Sequence, residues 1–267
     1  QVFMKKQAFL SVALTVVLAT SQFSCKKDEE KTAPTLPPES TFVMDMSNFN
    51  GGEKSGTATH LHYLWAVANV SIWNTILTVN LAVPVASFRE AFNHQAVYDP
   101  ATESWVWSYN VVVGSDTYLA ELHGSYVNAG IDWKMYVPKS GSYEDFAWYT
   151  GESNLAGTEG SWVLKNDPGN NQDFIRITWH KDNSGIADIK YENVLVTSSN
   201  KGTYIVYGIN NEADFNAFYN IYYTANTNLT EIKWHRTNQN GRVKDPAHYS
   251  DSNWHCWDSS HADVVCE

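Results

Sequence analysis

The sequence predicts a mainly β (α+β) fold: a large curved antiparallel meander sheet or barrel of about ten strands, led in by one or two helices. Three observations carry that prediction. From residue 105 onward, apolar and polar residues alternate in short runs, the mark of half-buried strands. Clusters of Gly, Asn, Asp and Ser separate the runs with no helical stretch between them, so the strands meander, since parallel pairing needs crossover helices. Ahead of the strands, apolar residues between His60 and Leu81 recur at three- and four-residue steps, one face of a helix.

Composition bounds the rest. The 267 residues suit one large domain or two small ones, and 43% hydrophobic content is enough to build a core. A net charge of −11 argues against nucleic acid as a partner, because phosphate must be neutralised by Lys and Arg. The anomaly is the aromatic fraction, 14%, with 11 Trp and 15 Tyr.

Residues 1–24 have the layout of a leader. Met4 precedes Lys5 and Lys6, and the apolar stretch Ala8–Ala19 follows, giving the charged and apolar regions of a secretory signal peptide. Ser21-Gln22-Phe23-Ser24-Cys25 resembles the cleavage box of bacterial lipoproteins. Phe23 departs from the usual Leu-type residue, and Ser24 fits the small residue before the Cys. That resemblance implies a lipidated Cys25 as the first mature residue. Lys26, Lys27, Asp28, Glu29 and Glu30 resemble the surface-export signal of Bacteroidota lipoproteins. The resemblances cover about the first 30 residues. They imply an outer-membrane protein held by its lipid and displayed at the cell surface, with the membrane as one partner. Loss of Lys5 and Lys6 with the leader leaves 16 basic against 29 acidic side chains, or −13, so anionic headgroups repel the folded body. Residues 25–45 hold Pro34, Pro37 and Pro38 and read as a disordered tether. Residues 46–267 then form a single β domain, with helices at about 59–93.

The first helix is expected over His60–Leu81, burying Leu61, Leu64, Trp65, Ala68, Ile72, Trp73, Ile76 and Val79. A second, short one is expected over Val85–Asn93. The strands follow with Trp105–Val113, Tyr118–His123, Ile131–Val137, Phe146–Trp148, Trp162–Leu164, Ile175–Trp179, Ala187–Tyr191, Ile205–Ile209, Phe215–Tyr223 and Leu229–Trp234. Asp132, Lys134, Arg176, Asp188, Lys190, Glu231 and Lys233 fall on the wet face. Gly124, Gly151 and Gly160 read as punctuation between strands. Ten strands in one sheet cannot stay flat. In element order the body resembles the lipoprotein-carrier half-barrels, with a helix inside an unclosed sheet, and the closed lipocalin-like barrels.

Few residues read as chemistry. Once Cys25 is lipidated, Cys256 and Cys266 remain, and an oxidising compartment favours their disulfide. His255, Cys256, His261 and Cys266 do not match zinc spacing. His60 and His62, two apart on a helix, point to different sides, so no metal or cofactor is expected. Glu121 and His123 share a strand face as an acid–base pair without a nucleophile. The remaining candidates are Trp105, Trp107, Trp133, Trp148, Trp162, Trp179 and Trp234, about one per strand. They read as core, as the lining of a site for an apolar small molecule, or as stacking platforms for a glycan. The function expected is a membrane-anchored, non-enzymatic lipoprotein that binds a hydrophobic or amphipathic ligand in a curved β-sheet. A surface glycan-binding module and a structural envelope protein are the alternatives.

Overall fold

A computed structural model describes residues 32–49, 59–138, 146–182 and 187–266. Cys25 and the export-signal residues Lys26–Glu30 lie outside them, as does the leader. Among the described residues, fourteen strands form one antiparallel sheet in chain order. They are β1 Val97–Asp99, β2 Ser104–Val113, β3 Asp116–Val127, β4 Gly130–Tyr136, β5 Ala147–Asn154, β6 Glu159–Asp167, β7 Asn170–Lys181, β8 Ala187–Asn193, β9 Tyr204–Ile209, β10 Ala217–Tyr223, β11 Asn228–Trp234, β12 Gly241–Lys244, β13 His255–Trp257 and β14 Asp263–Val264. The ten strands read from alternation are β2 to β11. The four it misses have two to four residues each, too short for a period of two to register. The sheet is not closed into a barrel. Its two edges are its shortest strands but for β13, which limits the unpaired backbone they present.

Helices complete what the strands leave open. Helix α1 spans Leu61–Asn80 and α2 spans Ala82–Ala91, with 69° between them. Pro84 explains the elbow. Its ring would clash with the Asn80 carbonyl in a continuous helix, yet it is tolerated in the first turn of a new one. Helix α2 packs on β2 and β3, while α1 packs on β12, β13 and β14. The pair therefore joins the two ends of the sheet.

The buried face of α1 differs from the one expected. Tyr63, Ala66, Val67, Val70 and Trp73 are buried, while Leu61, Leu64, Ile72 and Val79 are exposed. The helix has no charged residue, so it is apolar nearly all round, and spacing alone does not choose a face.

Residues 33–45 also depart from expectation. They are not a tether: the compact body begins at Ala33, and residues 33–49 lie across the inner face of the sheet as a strap. Phe42, Met44, Met46 and Phe49 are core residues. Phe42 meets Phe88, Tyr149 and Trp162 at ring-centroid distances of 4.8–5.1 Å, and Phe49 meets Tyr219 and Trp234. The strap joins no strand, so its oxygens are satisfied by its own tight turns at Glu39–Thr41 and Ser47–Phe49 and by side chains of the sheet. The Tyr191 hydroxyl donates to the Phe42 carbonyl at 2.9 Å, and Tyr219 donates to the Asp45 carbonyl. The Trp162 indole donates to the Thr41 hydroxyl at 3.3 Å. Burial pushes both phenols well above the ordinary tyrosine range, which keeps them as donors. The prolines fit this setting because an extended chain without strand partners has little use for backbone donors.

The tryptophans follow a cross-strand rule. Trp105, Gly124, Trp133, Gly151 and Trp162 are successive register partners from β2 to β6. Each indole of β4 and β6 lies over the glycine of the strand before it. A Cβ on Gly151 would stand 2.1 Å from the Trp162 ring and 2.6 Å from the Ser161 carbonyl oxygen. Trp179 over Gly160 and Trp257 over Gly241 repeat the arrangement. These glycines therefore lie inside strands, not between them. Each absent side chain makes room for a large one opposite. Gly151→Ala is expected to cost about 2–3 kcal/mol through overpacking. Gly169→Ala, in a turn with only the Asp167 carboxylate at 3.2 Å, is expected to change stability by less than about 0.5 kcal/mol. Equilibrium urea unfolding of both variants measures the difference.

Candidate functional site

The strap and helices cover most of the inner face, leaving a small cleft of about 270 Å³ between the strap, Trp179 and Tyr207, and the seven candidate tryptophans pack into the core or against it. Trp107, Trp133, Trp162, Trp179 and Trp234 are buried, and Trp105 and Trp148 are partly buried against the same core. A larger cleft opens where the elbow, the strap and β2 meet.

This cleft measures about 780 Å³. Leu77, Leu81 and Val85 from the elbow form one wall, Met44 and Met46 from the strap a second, and Val111 from β2 a third. Asn74, Thr78 and Asn110 place polar groups on its rim. Arg89 and Glu90 lie at the α2 end. Arg89 pairs with Glu39, and Glu90 accepts from His94 at 3.0 Å. The elbow makes the cleft: Leu81 is buried at the bend, and the first turn of α2 swings away from the line of α1. An apolar trough with charge at one end suits a molecule with a hydrocarbon tail and a polar head. Sequence reading missed it because its walls come from three separate segments.

A second groove, about 910 Å³, runs over the outer face of β3–β7. It holds His123, Asp132, Lys134, Tyr136, Glu152 and Arg176. The Glu121–His123 pair lies at its edge, with His123 Nε2 3.8 Å from the Glu121 carboxylate. The structure adds a chain of donors. Thr102 donates to Asp99 at 2.7 Å, which leaves its oxygen to accept from Ser104 at 2.8 Å. Ser104 in turn accepts from His123 Nδ1 at 3.1 Å. That order places the imidazole proton on Nδ1 and the free lone pair on Nε2. Burial holds the His123 pKa below its ordinary 6.5 against the opposing pull of Glu121. Ser104 is itself buried, and the chain orients His123.

The C-terminal segment builds a third cluster on α1. Asp263 accepts from the backbone N–H of Leu61 and of His62, both at 3.0 Å, and caps the helix. His62 meets the Tyr249 hydroxyl at 3.1 Å and lies 5.0 Å from the His255 ring. Tyr249 stacks on His255 at 3.6 Å, and Trp65 stacks on His248 at 3.7 Å. His60 Nδ1 lies 2.8 Å from the His261 carbonyl oxygen. Beneath them, the buried Asp245 accepts from Trp65 Nε1, Asn228 and Thr230 at 2.8–2.9 Å. Burial would raise its pKa, yet the bonds from Thr230, Asn228 and Trp65 outweigh it and hold the carboxylate ionised. Cys256 and Cys266 lie at disulfide distance, Sγ–Sγ 2.05 Å. Among the described residues no group of three His, Cys, Asp or Glu side chains is placed to hold a metal ion. His60 and His62 bond to different partners.

No family model, no curated protein and no solved structure matches this chain. The site is therefore read from its own geometry.

Burial lowers the His62 pKa, partly offset by Asp263, and the neighbouring His255 and His248 lower it further. A histidine with a lowered folded pKa holds fewer protons folded than unfolded, so stability falls as pH drops through its ordinary value, 6.5, and the loss is complete below the folded value. The carboxylates Asp245 and Asp263 titrate below their ordinary 3.8 and do not enter that window. The melting temperature is expected to fall between about pH 7.5 and pH 5. His62→Gln is expected to flatten that fall, leaving the share due to His123. Thermal melts of both proteins across the range measure it.

Proposed function

We propose that this chain is a non-enzymatic binding protein that takes an amphipathic small molecule in the elbow cleft. A lipid on Cys25 holds it at the outer membrane, displayed at the surface. The observation that carries the binding reading is the cleft itself. It is lined by thioether and aliphatic side chains, with the Arg89–Glu39 pair and Glu90 at one end. Each methylene transferred from water into such a trough contributes about 0.8 kcal/mol. Methionine adapts to chains of different shape, and Met44 and Met46 form the strap wall of the cleft. The binding place differs from the one expected from sequence, because strap and helices cover most of the inner face. Packing of the seven tryptophans into or against the core gives the glycan alternative less support than the cleft gives this one.

Ala82→Trp places an indole on an exposed helical position in the wall of the cleft without entering the core. Delipidated protein titrated with a dansylated undecanoate is expected to show one saturable site, weakened about tenfold or more by the indole, as expected when a tail loses roughly two buried methylenes. The measurement is the dansyl emission shift. Non-saturable uptake by the unsubstituted chain, or equal affinity in the Ala82→Trp variant, contradicts the proposal.

A further inference from the structure

On the outer face of β12, Arg242 stands opposite Lys233 of β11 and Cys256 of β13. Two cations as direct cross-strand partners repel one another, and the neighbours resolve this unevenly. Lys233 reaches Glu212 at 3.9 Å and Lys244 pairs with Glu231. Arg242 has no carboxylate within ion-pair distance among the described residues, and its Nε is buried without a hydrogen bond. Two rings hold it instead. The guanidinium carbon lies 4.4 Å from the Phe215 ring centroid and 4.4 Å from that of Trp254. Contact with π-faces fixes the plane of the fork and leaves its N–H edges to bond elsewhere.

Those edges border a groove of about 860 Å³ shared with Phe215, His235, Asn238, Asn240 and Ser259. Asn240 Oδ1 is also buried there without a hydrogen-bond partner. Both this oxygen and Arg242 Nε are shut off from solvent, so it is the two Nη groups of Arg242, bonded to no described partner, that are left to line the groove. Two acids also border it. Asp258 already accepts from Ser260 N, Ser260 Oγ and Ala262 N, and Asp214 lies beyond ion-pair distance of Arg242. A ligand that completes the fork brings an oxyanion to the guanidinium. The remaining amides and the Ser259 hydroxyl suit further hydroxyl groups.

We propose that this groove binds an acidic oligosaccharide, with its carboxylate or sulfate held by the ring-braced Arg242 fork and its ring hydroxyls facing Asn238, Asn240 and Ser259. The site is separate from the elbow cleft and needs none of its residues. A fixed, planar fork loses little freedom on binding, which makes it a better oxyanion receptor than a free surface Arg.

Isothermal titration of the full chain tests this with a galacturonate oligomer, a sulfated galactan oligomer, a neutral cello-oligosaccharide and a short peptide with a free C-terminal carboxylate. Saturable binding is expected for one or both acidic glycans, the responding arm identifying carboxylate or sulfate, and not for the neutral one. Arg242→Gln is expected to weaken it about tenfold or more, and Arg242→Lys about threefold or more, because the charge survives without the fork. Phe215→Ala, which only loosens the fork, is expected to weaken binding while the melting temperature stays within about 5 °C. Equal binding of neutral and acidic glycans, binding of the peptide alone, no saturable binding at all, or unchanged affinity in both Arg242→Gln and Phe215→Ala overturns it.

Discussion

The structure depends on the seating of residues 33–49 against the inner face of an unclosed sheet. Fourteen antiparallel strands present one long apolar face, and without closure that face must be covered by something other than strands. The strap does this with side chains, through Phe42, Met44, Met46 and Phe49. It also supplies oxygens to the buried donors of Tyr191, Tyr219 and Trp162. Those donors would otherwise be buried unsatisfied, at about 1–3 kcal/mol each. Sheet and strap therefore specify one another: the aromatic residues need the strap's oxygens, and the strap, lacking strand partners, needs their donors.

The helices and the sheet edges follow from the same constraint. Because β1 and β14 do not meet, the helix pair carries the core from one end of the sheet to the other. Asp263 of β14 caps α1, so the last strand fixes the start of the helix that covers it. The elbow at Leu81 then leaves a cleft beside the strap, and the binding proposal rests on that cleft. The aromatic content has a second cause in the glycine partners. Trp133, Trp162 and Trp179 fit on the inner face because Gly124, Gly151 and Gly160 yield the space.

Much of the fold was legible, for reasons that particular residues make plain. The run Trp107, Tyr109, Val111 alternates cleanly because one face of β2 is buried, as does Ile131, Trp133, Met135 in β4, whereas Trp148 of β5 and Leu229 of β11 fall out of phase with the buried face. Strands β12–β14 were hidden by their shortness. The strap was misread because Pro34, Pro37 and Pro38 drew attention from Phe42, Met44 and Met46, whose two-residue spacing was already a strand-like apolar signal. The exposed Leu61 and Val79 show the limit of periodicity in a helix without charges. The sites were least legible, since they depend on register and on distant segments. Asn240 and Arg242 meet Phe215 and Trp254 only after β10–β13 have paired, and His62 meets His255 only after the chain has come full circle around the core. Nothing local in the sequence encodes those meetings.

Limited proteolysis of the full chain with a non-specific protease, followed by native mass measurement of the resistant body, tests the central claim most directly. If the strap is part of the core, the resistant body begins within a few residues of Ala33. It also keeps the 33–49 segment in its native mass even where the chain is cut between residues 50 and 58. A stable body that begins beyond residue 49 and retains no strap fragment would contradict the account.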